Sequence, residues 1–231
     1  MSAHTELRVV KDQGKGRPFV LLHESGSYAE WVELLLEALV KRTRVLRVEC
    51  PRINDQNWRV VSRALMELSA GQGLKQCSFV SFGAAGILLQ DLGLTDVKQV
   101  RTAVFIDAST RPHPTRFQRL IDRLEEIMPL GLPLRLRTEG FDGRAFLHRI
   151  RCPALVVTGP ASSEFHLHQA ELMARHLPTA WRVHLESSSA ELLCNLVCEF
   201  QDVPAKCPQK NGRVTASPLS APVAAPHSPP T

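Results

Sequence analysis

The run Cys77-Ser78-Phe79-Val80-Ser81-Phe82-Gly83-Ala84-Ala85-Gly86 decides how this chain is read. Cys77 to Phe82 form an apolar, β-favouring run, which predicts a strand. Four small residues follow, and Ile87-Leu88-Leu89-Gln90 then opens a helical run, with the helix expected from Ala84 to Leu92. A strand that reverses into a helix over so few residues bends sharply, and only small side chains avoid a clash there.

Working outward, the same strand-then-helix alternation repeats. Upstream, Leu7 to Val10 predicts a short edge strand and Pro18 to Leu22 a buried one, followed by the polar loop His23-Glu24-Ser25-Gly26-Ser27. Trp31 to Val40 carries apolar residues on one helical face, and Arg44 to Val48 predicts the next strand. From Trp58, residues Val60, Val61, Ala64, Leu65 and Leu68 recur at helical spacing, with Gly71 as the stop. Downstream, strands are expected at Ala103–Ile106, Ala154–Val157 and Trp181–Leu185, and helices at His166–His176 and Glu191–Phe200. Such units imply an α/β fold with a mostly parallel sheet covered by helices on both faces. Ligands of such sheets sit at the carboxyl ends of the strands.

The alternation breaks at 111–151, where prolines 112, 114, 129 and 133 separate two candidate helices. In the first, Phe117, Leu120, Ile121, Leu124, Ile127 and Met128 form one apolar stripe. The segment holds nine arginines and five acidic residues, a balance of +4 that suits an acidic partner or an anionic ligand. A solvated helix face laced with pairs such as Arg119–Asp122 and Arg123–Glu126 explains the same charges. Beyond Val203 the composition turns to Pro, Ala and Ser. Residues 1–203 are therefore expected to form one domain and 204–231 a disordered tail.

Net charge is +5, of which the tail supplies +3, so the folded part is nearly balanced and no nucleic-acid-binding motif stands out. No apolar run approaches the ~20 residues that span a bilayer, and no signal peptide is visible, which predicts a cytoplasmic protein. Six cysteines are then expected to stay reduced, most of them as small buried hydrophobes. Cys194 and Cys198 share a helix face near His184 in sequence, but a metal site would need more ligands. No metal and no cofactor is expected.

Four local sequences, in order, resemble the α/β-hydrolase fold over roughly residues 5–201. Pro18-Phe19-Val20-Leu21-Leu22-His23-Glu24-Ser25-Gly26 is similar to that family's strand and oxyanion loop. Arg44 to Pro51 resembles its next strand, and Ile150-Arg151-Cys152-Pro153-Ala154-Leu155-Val156-Val157-Thr158-Gly159 the strand before its acidic residue. The fourth is the opening bend, where the family carries Gly-x-Ser-x-Gly and this chain reads Ser81-Phe82-Gly83-Ala84-Ala85. The resemblance makes 111–151 a lid insertion. It also implies a serine, a histidine and a carboxylate acting together, and these are missing at the matching positions. Gly83 stands for the serine, the acid position falls at Ser162, and the histidine position at Ser189. Glu24 replaces the first glycine of the oxyanion loop, where a carboxylate is expected to repel a developing oxyanion.

Two functions remain in view. One is a non-catalytic protein, a pseudoenzyme, that binds a small apolar or acidic ligand, or a protein partner through the lid. Its ligand-binding residues are then expected at His23, Ser25, Gly26, Phe82, Gly83 and Ala84, although His23 also suits a structural role. The other is a weak or rearranged-site hydrolase of the esterase or thioesterase class, with Ser81, His166 and Asp107 as the fallback set.

Overall fold

The computed structural model describes residues 6–112, 141–187 and 189–201. The expected lid helices with their apolar stripe, and the expected tail, lie outside the described residues. The elements come in the order β1 (Arg8–Gln13), β2 (Pro18–Glu24), α1 (Ala29–Val40), β3 (Arg44–Cys50), α2 (Trp58–Gly71) and β4 (Cys77–Phe82). A 3-10 turn (Gly83–Ala85) leads into α3 (Gly86–Thr95) and β5 (Val100–Ile106). Two 3-10 turns (Gly143–Ala145 and Leu147–Arg149) precede β6 (Ala154–Thr158), α4 (Glu164–His176), β7 (Ala180–His184) and α5 (Ala190–Phe200).

The seven strands form one sheet in the order β1-β3-β2-β4-β5-β6-β7. Every neighbouring pair is parallel except β1 with β3. Alternate strand residues point to opposite faces, and two cores result. On one side Val20, Leu22, Val48, Phe79 and Phe105 pack with Val61 and Leu65 of α2, Ile87 and Leu88 of α3 and Met173 of α4. On the other, Phe19, Leu21, Val80 and Val104 pack with Leu35 and Leu39 of α1 and Leu193 and Val197 of α5. The mostly parallel α/β sheet covered on both faces is the expected fold class. No helix among the described residues is long and apolar enough to cross a membrane.

Several elements outrun their apolar stretches because the ladder continues past them. β5 begins at Val100, which pairs with Cys77, and Thr102 Oγ1 donates to Ser78 Oγ at 2.8 Å across the same pair of strands. β2 runs on to Glu24 because Glu24 still pairs with Cys50. Val60, counted in the α2 stripe by spacing, is 60% exposed, whereas Val61 and Leu65 are buried. The five described cysteines are buried.

The register fixes where the loops emerge. Leu22 pairs with Ser81, Phe82 with Ile106 and Ile106 with Val157. Glu24, Gly83, Asp107 and Gly159 therefore leave the sheet along one edge. After β2 the chain moves outward to β3, and after β4 it moves outward the other way to β5. The crevice between the exits of β2 and β4 is thus the switch point where such sheets bind ligands.

Candidate functional site

The floor of this crevice is the bend after β4. Phe82 is still extended, with φ −113° and ψ 134°, and Gly83 turns left-handed at φ 55°. That region strains any residue with a side chain, so glycine relaxes the corner. α3 can start at once because Gly86 lies against the β5 exit, where an added Cβ would stand 2.6 Å from Ala108 Cβ.

The wall is the loop after β2. Ser27 N–H closes a turn on the Glu24 carbonyl at 3.1 Å, and Gly26 is left-handed at φ 76°. Tyr28 follows, also left-handed at φ 57°, and its carbonyl accepts the Val32 N–H at 2.9 Å as α1 begins. This places the Tyr28 ring over Gly83. A Cβ built on Gly83 would lie 3.1 Å from Tyr28 Cε2 and 3.5 Å from its hydroxyl oxygen. The ring also leans on Phe82, with centroids 5.5 Å apart and planes at 37°. The space above the bend, where a nucleophile's side chain would rise, is filled by a phenol.

Burial pushes the Tyr28 hydroxyl up to about 12, with the charges of Asp107 and Glu24 adding to the shift. At neutral pH the group is a protonated hydrogen-bond donor. Glu24 itself does not point its bound oxygen at an oxyanion position: its Oε1 accepts the Ile53 N–H at 2.7 Å and ties the β2 exit to the loop after β3. The expected repulsion is thus replaced, for that oxygen, by a structural bond. Ser25 N–H donates to the Cys50 carbonyl at 2.9 Å, so this loop amide is committed as well.

The two remaining positions of the resemblance carry local structural tasks. Ser162 Oγ accepts the Gly159 N–H at 2.7 Å and donates to Asp107 Oδ1, locking the turn after β6. Ser189 caps α5, accepting the Leu192 N–H at 3.3 Å. The fallback residues are engaged separately. Ser81 is fully buried and donates to the Val104 carbonyl at 3.2 Å. His166 Nδ1 meets Ser163 Oγ at 3.1 Å at the start of α4. Asp107, left-handed at φ 48°, takes the Ser162 hydroxyl and donates its own N–H to the Val157 carbonyl at 3.0 Å.

Of the residues expected to contact a ligand, Phe82, Gly83 and Ala84 form the buried floor, and Ser25 and Gly26 are exposed on the loop. His23 is fully buried in the sheet. Its Nε2 faces Arg47 Nε at 2.9 Å, and a guanidinium can only donate, so Nε2 accepts and the proton sits on Nδ1, toward the Glu24 carbonyl at 3.0 Å. Arg47 also pairs with Glu33, which binds Lys11 Nζ at 2.7 Å. Burial, with the Arg47 charge, lowers the imidazole below its ordinary value despite its bond to the Glu24 carbonyl. Among the described residues no group of three or more His, Cys, Asp and Glu side chains is placed to hold a metal. Sequence reasoning missed Tyr28. The available signal was that it is the only tyrosine in the chain, two residues past the Gly26 of the oxyanion-like loop.

No family model matches the sequence, and no curated protein matches it. Solved structures do. The chain is similar to an enol-lactonase from Burkholderia xenovorans LB400, at 16% identity and a TM-score of 0.62, over 84% of this chain and 96% of that one. It is similar to a hydrolase from Pseudomonas aeruginosa PA01, at 17% identity and a TM-score of 0.63, over 85% and 94% of the two chains. MenH from S. aureus matches at 12% identity and a TM-score of 0.62, over 82% and 96%. At such identities the likeness speaks for architecture and not for chemistry. Sheet order, strand-end crevice and these matches agree that the chain has the α/β-hydrolase fold.

Proposed function

We propose that this protein is a non-catalytic member of its fold, which uses the crevice between β2 and β4 for binding. The observation that carries the reading is the Tyr28 ring standing over Gly83, where a working enzyme of this architecture raises its nucleophile. Three further features support it. Ser162 locks a turn, Ser189 caps a helix, and the Ser25 N–H is spent on a backbone carbonyl. At each of these positions the group present serves the scaffold, as expected of a protein that has no reaction to support. Removing even one member of such a set costs several orders of magnitude in rate.

The test is hydrolysis of short-chain p-nitrophenyl esters by the full chain. The expected rate equals that of buffer with an inert protein added. A rate well above that background, abolished by Ser81→Ala, would overturn the reading in favour of a rearranged hydrolase.

A further inference from the structure

The crevice already contains the kind of group it is shaped for. Leaning, tilted, on the Phe82 ring, the Tyr28 ring fills the space above Gly83. That ring belongs to the protein, and it is held there against backbone preference. Tyr28 is left-handed at φ 57°, a conformation that side-chain-bearing residues rarely adopt. The polar end of the ring is specified too. Its hydroxyl lies in the field of Asp107 and Glu24, and each carboxylate has one oxygen taken, by Ser162 and by the Ile53 N–H. Two carboxylates welcome a neutral donor and repel an anion.

We infer that the crevice is a slot for a neutral phenolic ring, and that Tyr28 is a built-in stand-in which an external phenol displaces. This rests on the binding role proposed above and names the ligand class for it. The exchange trades one set of ring contacts for an equivalent set. An anionic aromatic such as benzoate gains the same ring contacts but meets the two carboxylates.

The competing side chain makes the inference measurable. A slot occupied by its own tyrosine binds an external ring more weakly, in proportion to the fraction of molecules in which the slot is open. Tyr28→Gly keeps the left-handed backbone without strain and empties the slot. Calorimetric titration of the full chain with p-cresol should give a Kd at least about tenfold lower for Tyr28→Gly than for the unaltered protein, with no benzoate binding to either. The unaltered protein labelled with fluorotyrosine should show one fluorine resonance, since Tyr28 is the only tyrosine, and p-cresol should move it toward the solvent-exposed position. Equal p-cresol affinity in both proteins, absence of binding by folded Tyr28→Gly, or benzoate binding as tight as p-cresol would overturn the inference. If Tyr28→Gly does not fold, the fluorine titration decides alone, and an unmoved resonance at saturating p-cresol overturns it. The ester assay on the same preparations separates the two levels: lost phenol binding without hydrolysis leaves the non-catalytic reading standing, whereas hydrolysis removes it.

Discussion

At Gly83 a side chain meets two obstacles of different origin. The backbone is left-handed, and the Tyr28 ring stands 3.1 Å from any Cβ placed there. Gly83→Ser is therefore expected to cost about 1–2 kcal/mol from the backbone alone, plus the displacement of the ring. Urea unfolding should show the loss, and it should shrink in a Tyr28→Gly background, where only the backbone part remains. An undiminished loss would mean that the ring contact contributes nothing. His23 sets a pH dependence. Its folded imidazole is held below its ordinary value, so below about pH 6.5 the unfolded chain takes up a proton that the folded chain refuses. The stability it contributes is complete above that pH and is lost as pH falls toward the folded value. Imidazole NMR should show His23 titrating below the ordinary histidine value, and a midpoint at or above about 6.5 would contradict its place under Arg47. Gly83, Ser162 and Ser189 were legible as letters in the sequence, but the structural task of each was not. That Tyr28 covers Gly83, or that Glu24 turns to Ile53, depends on left-handed residues and a bond between loops 29 residues apart in sequence, neither of which has a periodic pattern.

At the scale of elements, α3 is seated by the absence of a side chain. Gly86→Ala places a methyl 2.6 Å from Ala108 Cβ, a contact between two Cβ atoms that no side-chain rotation relieves. Overpacking of this kind costs about 1–3 kcal/mol, and thermal unfolding should register it. Unchanged stability would show that α3 is free to shift on β5. The chain segments on either side of residues 113–140 are pinned as firmly. Gly143 N–H donates to the Thr110 carbonyl at 2.8 Å, Gln169 Oε1 accepts from both Thr110 N–H and Thr110 Oγ1, and Gln90 Nε2 donates to the Ser109 carbonyl at 2.8 Å. Both glutamines are buried. Gln169→Leu leaves the Thr110 amide and hydroxyl buried without that acceptor, at a cost of about 1–3 kcal/mol for each unsatisfied group, and faster exchange of the Thr110 amide should accompany it. Elements like these were the most legible part of the chain, because burial on one helix face or within a parallel strand writes itself into spacing. β4 was bounded from apolar residues alone. The ends of β2 and β5 were not, because ladder pairing extends strands through residues such as Glu24 and Arg101 whose chemistry says nothing of it.

For the whole molecule, fold and chemistry separate. Sheet order, two cores and an aligned strand-end edge belong to an architecture shared with solved structures at 12–17% identity. Those features are fixed by many buried residues acting together, so they tolerate sequence change; a reaction depends on a few side chains and does not. The crevice at the switch point holds the Tyr28 phenol, while Ser162 locks a turn and Ser189 caps a helix. The most direct measurement is fluorophosphonate labelling of the full chain read by mass spectrometry, since the reagent reacts with a serine only where a base activates it. No labelled serine above a heat-denatured control is expected. A stoichiometric adduct on any serine, Ser81 included, would contradict the non-catalytic reading.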